Sequence, residues 1–514
     1  MAVARTKSVA LLGLSGSIVE VEADLGSQLP AFLVIGLPDA AIGESRERVR
    51  AAAANSGCPL PPRRLTVNLS PATLPKQGSG FDLAIAVACL AAAGRLDPVS
   101  ASGLVHLGEL GLDGRLRPTD GILPAVLAAR RAGIARVMVP AANATEAALV
   151  EGIEVIGVVS LAEAVAWHGG DVEVPAIDAV VRTETTEGTE FVPGDLGDVV
   201  GNSEAVSALI AAAAGGHHLG LYGPPGAGKT MLASRLPGIL PDLEVDHALE
   251  VASLRSLSGL GVGSLSVRPP FEAPHHTATA ASIIGGGGRL IRPGAAARAS
   301  HGVLFLDEAP EFPASVLDVL RQPLESRSIS IHRASAVASF PASFQLVLAA
   351  NPCPCGQWTP KGESCTCAPN VKRRYLSRIS GPLRDRIDLE LWVPRLTAAA
   401  TSLVSADARV TSAEARRRVE GARLLAAERY RETPWRVNAE VPGPWLRGTG
   451  GMHPGHRATA AIDRALERGG LTMRGYDKVL KLAWTFADLD GAGAPDSGHV
   501  GQANALRKSP LWPA

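Results

Sequence analysis

Eight residues, GPPGAGKT at 223–230, constrain what this chain folds into more than any other stretch of its 514 residues. The apolar run HLGLYG leads into them and the helix-forming MLASRL follows, so the glycines fall on a turn from a strand into a helix. Gly223, Gly226 and Gly228 let backbone N–H groups close around phosphate oxygens, and the positive end of the next helix points at the same place. Pro224, Pro225 and Ala227 complete the loop. Lys229 is placed to reach the β and γ phosphates, and the Thr230 hydroxyl to hold Mg²⁺. The string predicts an ATP pocket with its metal.

Two further apolar runs extend that pocket. GVLFLDE at 302–308 ends on two carboxylates; downstream of a phosphate loop, Asp307 supports Mg²⁺ and Glu308 polarises the attacking water, so hydrolysis is expected and not binding alone. FQLVLAANP at 344–352 ends on Asn351, whose amide can orient that water, although Asn before Pro is also an ordinary turn residue. Runs this uniformly apolar suit a parallel sheet covered on both faces.

A chain of this length exceeds what one core normally supports. Residues 1–170 interleave short alternating strands with Ala-rich helices, as in a mixed α/β domain; 171–194 lose periodicity and gather Thr, Glu and Gly, as a solvated linker does. Residues 195–395 form the nucleotide-binding core. The remainder, 396–514, reads as helical, with a capping sequence T-S-A-E near Thr411 and a Gly/Pro-rich interruption at 442–456. The expected fold class is therefore multidomain, α/β followed by a P-loop parallel-sheet core and an α domain.

Fifty basic residues balance fifty acidic ones, so any contact with nucleic acid must come from a local basic surface. The longest apolar stretches, such as 83–93, fall short of the ~20 residues a bilayer span needs, so no membrane partner is expected. The N-terminus reads as a first strand without a clear cleavage site. Six cysteines in so long a chain fit a reducing cytoplasm. Four of them, Cys353, Cys355, Cys365 and Cys367, form C-x-C-x9-C-x-C, close enough to ligate a tetrahedral Zn²⁺; unliganded thiols or a redox pair are the alternatives. Cys58 and Cys89 read as buried small hydrophobes, and His217, His218, His275 and His276 as packing or polar contacts.

EAPHHTATAASIIGGGG, GVLFLDEAPEF, LRQPLE, FPASFQLVLAANPCPCG and GPLRDRIDLE resemble the YifB/ComM family of magnesium-chelatase-like AAA+ ATPases. ESRERVRAAAANSG, TVNLSPATLPKQGSGFDLAIA and LTMRGYDKVLKLAWTFADLDG carry the resemblance nearly end to end. It implies a ring-forming homo-oligomer, a hexamer, in which Arg386 enters a neighbour's ATP site as an arginine finger, with Arg378 as runner-up. It also implies that Arg474 contacts γ-phosphate from the helical domain. Trp484 departs from the family, where Arg is usual. Lys229 and Asp307 stand 78 positions apart, which leaves room for an insertion. That insertion, with a Gly-rich turn at 285–288 beside Arg289 and Arg292, resembles the helix-2 insert of related motors. ESRSISIHRASAVASFPASF reads as a second projecting hairpin carrying Arg327, His332 and Arg333. These five side chains are the candidate DNA contacts, set against the reading of ordinary solvated hairpins.

LPKQGSGFDLAIAVACLAAAG, with 111–143, resembles the Lon-protease fold. The nucleophile position holds Gly80, with Ser79 one residue away, and 121–125 contain no Lys, so proteolysis is disfavoured. The combined expectation is an ATP-driven motor on DNA, a helicase or branch-migration factor in recombination or natural transformation. A magnesium-chelatase subunit and a nucleotide-switched chaperone or binding module remain alternatives.

Overall fold

The computed structural model describes residues 3–36, 39–76, 78–181, 191–287, 291–332, 337–359, 365–395, 409–449 and 451–507. Arg289 and Arg333 lie outside the described residues. Among those described, no helix is long and apolar enough to cross a membrane.

In the first domain, strands Ala31–Ile35, Arg64–Ser70, Ser15–Gly26, Ala4–Leu12, Val105–His106, Arg136–Pro140 and Glu154–Val158 form one sheet in that order. The hairpin at its centre is antiparallel, with Ala4 opposite Ala23, while the last three strands join in parallel. Helix Asp82–Ala92 is buried from Asp82 through Ala91, which explains why its sequence is apolar all round. Burial raises Asp82 to about 6 against the opposing pull of Arg48, whose Nε donates to it at 2.6 Å.

The nucleotide-binding core is a five-stranded parallel sheet, in the order Phe271–Glu272, Val303–Leu306, Gln345–Ala350, Leu219–Tyr222, Leu389–Trp392. Three of these strands are buried at every position, and alternate residues feed two separate cores. Leu219, Leu221, Phe305, Val347 and Ala349 face helices Ser203–Gly215 and Lys229–Ile239 and, beyond them, the C-terminal helices. Tyr222, Leu304, Leu306, Leu346 and Leu348 face the inserted segments. Both faces are covered, as continuous apolar strands require.

The C-terminal domain begins where the Thr411 hydroxyl accepts the Glu414 N–H at 3.2 Å and starts helix Ser412–Arg429. Helices His456–Glu467, Met473–Leu489 and Ser497–Ala505 follow. Trp484 is a packing residue here: the Arg429 guanidinium sits 4.3 Å from its ring centroid and its Nε1 donates to the Met452 carbonyl at 3.0 Å. Arg429 is held in turn by Asp488.

The two insertions form antiparallel pairs, Gly285–Gly286 with Arg292–Pro293 and Ser328–His332 with Val337–Pro341. The first domain docks on both. Arg292 reaches Asp120 at 3.0 Å, and Gly13, at φ 64°, lies so close to Ser339 that a Cβ would stand 2.5 Å from its carbonyl oxygen. Only glycine satisfies both demands.

Candidate active site

The phosphate loop owes its shape to two glycines and one close approach. Gly226 and Gly228 adopt φ 74° and 89°, and a Cβ on Gly223 would stand 2.1 Å from the Val393 carbonyl oxygen. Helix Lys229–Ile239 then starts with its free N–H groups facing the loop. A cavity of about 380 Å³ lies over it, bounded by Pro225, Ala227, Lys229, Asp307, Glu308 and Asn351 among others.

Strand order explains why these residues meet. Gln345–Ala350 lies between the strand that leads into the phosphate loop and the strand that ends on Asp307, so Asn351 emerges between Lys229 and the carboxylates. Lys229 Nζ donates to Asn351 Oδ1 at 3.1 Å and to the carbonyls of Gly223 and Pro224 at 2.7 and 3.0 Å. Burial lowers this amine to about 8, against the attraction of Asp307 and Glu308. The Thr230 hydroxyl donates to Asp307 Oδ2 at 2.6 Å. A buried ammonium beside glycine N–H groups fits phosphate, and an adjacent hydroxyl and carboxylate fit Mg²⁺, so the residues present match MgATP.

Glu308 projects from a left-handed backbone position, φ 50°, and is half exposed. Two neighbours were not legible as site residues. His276 brings Nδ1 to 3.5 Å from Glu308 Oε2 and packs edge-on to Phe312, although its sequence context suggested only packing or polar contact. Arg395 donates from Nε to the Pro225 carbonyl at 2.9 Å.

Arg386 and Arg474 are elsewhere. They border a cavity of about 970 Å³ that also takes in His218, Gly302, Gln345 and Asp388. Those four residues lie at or just before the amino ends of the core strands, whereas the phosphate loop, Asp307 and Asn351 lie at the carboxyl ends. Arg386 pairs with Glu325 and donates to the Pro382 carbonyl at 2.7 Å, while its buried Nε has no hydrogen-bond partner among the described residues. Arg474, largely exposed, stands 3.6 Å from Asp385. Arg378 donates to the Pro310 carbonyl at 2.8 Å.

Three family models cover most of the chain: "Magnesium chelatase, subunit ChlI" over residues 195–401, "Subunit ChlI of Mg-chelatase" over 21–143, and "Magnesium chelatase, subunit ChlI C-terminal" over 409–507. An uncharacterised protein of Mycobacterium tuberculosis is 49% identical over 511 residues, 99% of each chain. Competence protein ComM of Haemophilus influenzae is 38% identical over 509 residues, 99% of this chain and 98% of that one. YifB of Escherichia coli is 36% identical over 504 residues, 97% and 96% of the two chains. This chain belongs to the YifB/ComM family of magnesium-chelatase-like proteins. Membership makes it an AAA+ ATPase that uses ATP and Mg²⁺.

Within this YifB/ComM chain the candidate DNA contacts are unequal. Arg292 is engaged by Asp120. Arg327 sits just before the hairpin strand, at φ 55°, and is held by Glu440 at 2.5 Å, so it marks the hairpin's base and is turned toward the C-terminal domain. His332 is exposed at the strand's far end. In the first domain Ser79 donates to Glu109, and the nearby Lys76 amine is taken by the carbonyls of Gly36 and Pro71. Neither forms a serine–lysine pair. Cys353, Cys355, Cys365 and Cys367 bring all four sulfurs within 4.8 Å of one another.

Proposed function

We propose that this ATPase is a hexameric ring that moves on DNA, in strand separation or branch migration. The observation that carries the ring is the separation of Arg386 and Arg474 from their own phosphate loop by the length of the core strands. A head-to-tail interface that presents the amino ends of one core to the carboxyl ends of the next supplies each ATP site with the neighbour's arginines, and such interfaces close into rings. The DNA reading is supported by two hairpins with basic residues and by similarity to a relative whose name is competence protein. Basic side chains on such hairpins track phosphates without reading bases.

In this reading Lys229 holds the β and γ phosphates, Asn351 and Glu308 orient the attacking water, and Glu308 takes its proton as the bond from the γ-phosphorus to the ADP oxygen breaks. Mg²⁺, at Thr230 and Asp307, would neutralise phosphate charge. Arg386 from the neighbour stabilises charge on the transferring group, with Arg474 beside it. The first domain acts as a scaffold without proteolysis, because the groups around Ser79 and Lys76 are committed to other partners.

Branch migration and strand displacement by the wild type, beside Lys229→Ala and Glu308→Gln, test the motor. Activity in the wild type alone is expected, with ATPase stimulated by DNA and binding that weakens as salt rises. A chain with neither DNA stimulation nor salt-dependent DNA binding is not a DNA motor. Porphyrin metalation with partner subunits would then favour the chelatase alternative.

A further inference from the structure

Four thiols that the ATP reaction does not use converge beside its site. Cys353 and Cys355 lie two and four positions after Asn351, and Cys365 and Cys367 come back to them from further along the chain. Cys353 Sγ lies 3.4 Å from that of Cys355 and 3.6 Å from that of Cys365, and Cys355 to Cys365 spans 3.7 Å. Zn–S bonds of about 2.3 Å in a tetrahedron place sulfurs about 3.8 Å apart. A disulfide needs about 2.05 Å. Four sulfur ligands with no position left for water describe a closed, structural site, and a soft one.

The loop that carries these thiols touches the phosphate loop. Gly356, at φ 70°, approaches Pro225 so closely that a Cβ would stand 2.6 Å from the ring's Cγ and Cδ. Pro225 borders the ATP cavity. On the other side Trp358 stands edge-on to Trp392, with centroids 5.8 Å apart, and Lys372 lies 5.9 Å from the Trp358 centroid. Trp392 ends the strand paired with the one that leads into the phosphate loop. Residues 351–359 and 365–368 carry no helix or strand, so no backbone ladder holds this segment in place. A metal crosslink is the physical means by which such a segment becomes rigid.

We propose that Cys353, Cys355, Cys365 and Cys367 bind one Zn²⁺, and that the ion braces Pro225 and Asn351 from outside the nucleotide pocket. The metal site stands on the thiols alone; the brace rests on the reading of 223–230 as the ATP site. Zn²⁺ here takes no part in hydrolysis. It fixes the ground-state shape of the loop that receives phosphate.

The test begins with metal analysis of the purified full chain, where about one zinc per chain is expected. Cys355→Ser with Cys367→Ser, two ligands outside the buried core, reduces this to background. Titration with a fluorescent ATP analogue then shows binding weakened about tenfold, both in that variant and in wild type stripped with a chelator. Zn²⁺ added back to the stripped wild type restores the affinity, which misfolding of a variant would not reproduce. Gly356→Val keeps its zinc yet binds nucleotide weakly, because it disturbs the contact with Pro225. Iron, a disulfide or four freely reactive thiols in the wild type overturn the metal site. Zinc lost or restored with no change in nucleotide affinity overturns the brace. Lys229→Ala with a full complement of zinc and no nucleotide binding is expected; a wild type that holds zinc but no nucleotide sinks the ATP reading, and the brace with it, while leaving the metal site intact.

Discussion

At the carboxyl ends of the core strands, Lys229, Asn351, Thr230 and Asp307 hold one another in direct hydrogen bonds. At the amino ends, Arg386 and Arg474 face a wide cavity, and their neighbours are Glu325 and Asp385 of the same chain. Both regions are charged and both resemble parts of an ATPase, yet only the first has the groups to grip phosphate and Mg²⁺ together. In the second, carboxylates and cations line the cavity together; burial lowers Arg386, and Arg474 and Arg321 lower it further. In the ring proposed above, binding is complete within one chain and turnover is not.

The largest effect should come from the first region. Lys229→Ala abolishes nucleotide binding and lowers ATPase by a thousandfold or more, whereas Glu308→Gln stops turnover and leaves binding intact, as equilibrium dialysis with labelled ATP would show (~10³ from lost transition-state charge stabilisation). Arg386→Ala also lowers turnover by about a thousandfold, but nucleotide affinity stays within about twofold. The sharper form mixes two dead proteins. Arg386→Ala subunits keep a whole pocket and Glu308→Gln subunits keep a whole finger, so mixed rings regain ATPase activity; a mixture as inactive as its parts would mean that Arg386 does not act across an interface.

Arg474→Ala is expected to cost less, about tenfold in turnover, because its side chain is largely exposed and weakly held. The smallest effect is a proton count. Lys229 in the free chain is lowered to about 8, and a bound phosphate favours its charged form. ATP binding near pH 8.5 should therefore take up a large fraction of a proton, and binding near pH 6.5 almost none (the free amine begins to lose its proton about one unit below its pKa, and uptake then persists until the bound amine titrates in turn). Calorimetry in buffers of different ionisation enthalpy reads this directly. Uptake that persists in Lys229→Arg would assign the proton to another group.

Much of the first region was legible because it is built from local pieces. A strand, a glycine turn and a helix read directly from 219–239, and Asp307, Glu308 and Asn351 each close an apolar run. The central placement of Asn351 was not legible, since it depends on strand order, which no single segment encodes. Arg395 was missed for a similar reason: its partner Pro225 is 170 positions away. His276 was passed over because a histidine pair before a Thr has no strong pattern of its own, and only the fold brings it to Glu308. The hairpins were visible in their alternation and glycines, but Arg327 was expected on the projection and stands instead at its root, where a left-handed turn aims it at Glu440. The cysteine spacing signalled a cluster; the contact of Gly356 with Pro225 carried no signal in the sequence.

The strand Gln345–Ala350 has one further consequence. It starts four residues after the hairpin strand Val337–Pro341 ends and finishes against Asn351, next to the phosphate-binding amine. Six extended residues make a rod of about 20 Å, stiff because it is hydrogen-bonded along both edges and buried throughout (about 3.3 Å per residue). In the motor proposed above, movement at the Asn351 tip would pass along this rod to the hairpin root, and from there, through the tight fit of Gly13 on Ser339, to the first domain. Chemistry at one end of the rod and grip at the other would share a single mechanical part.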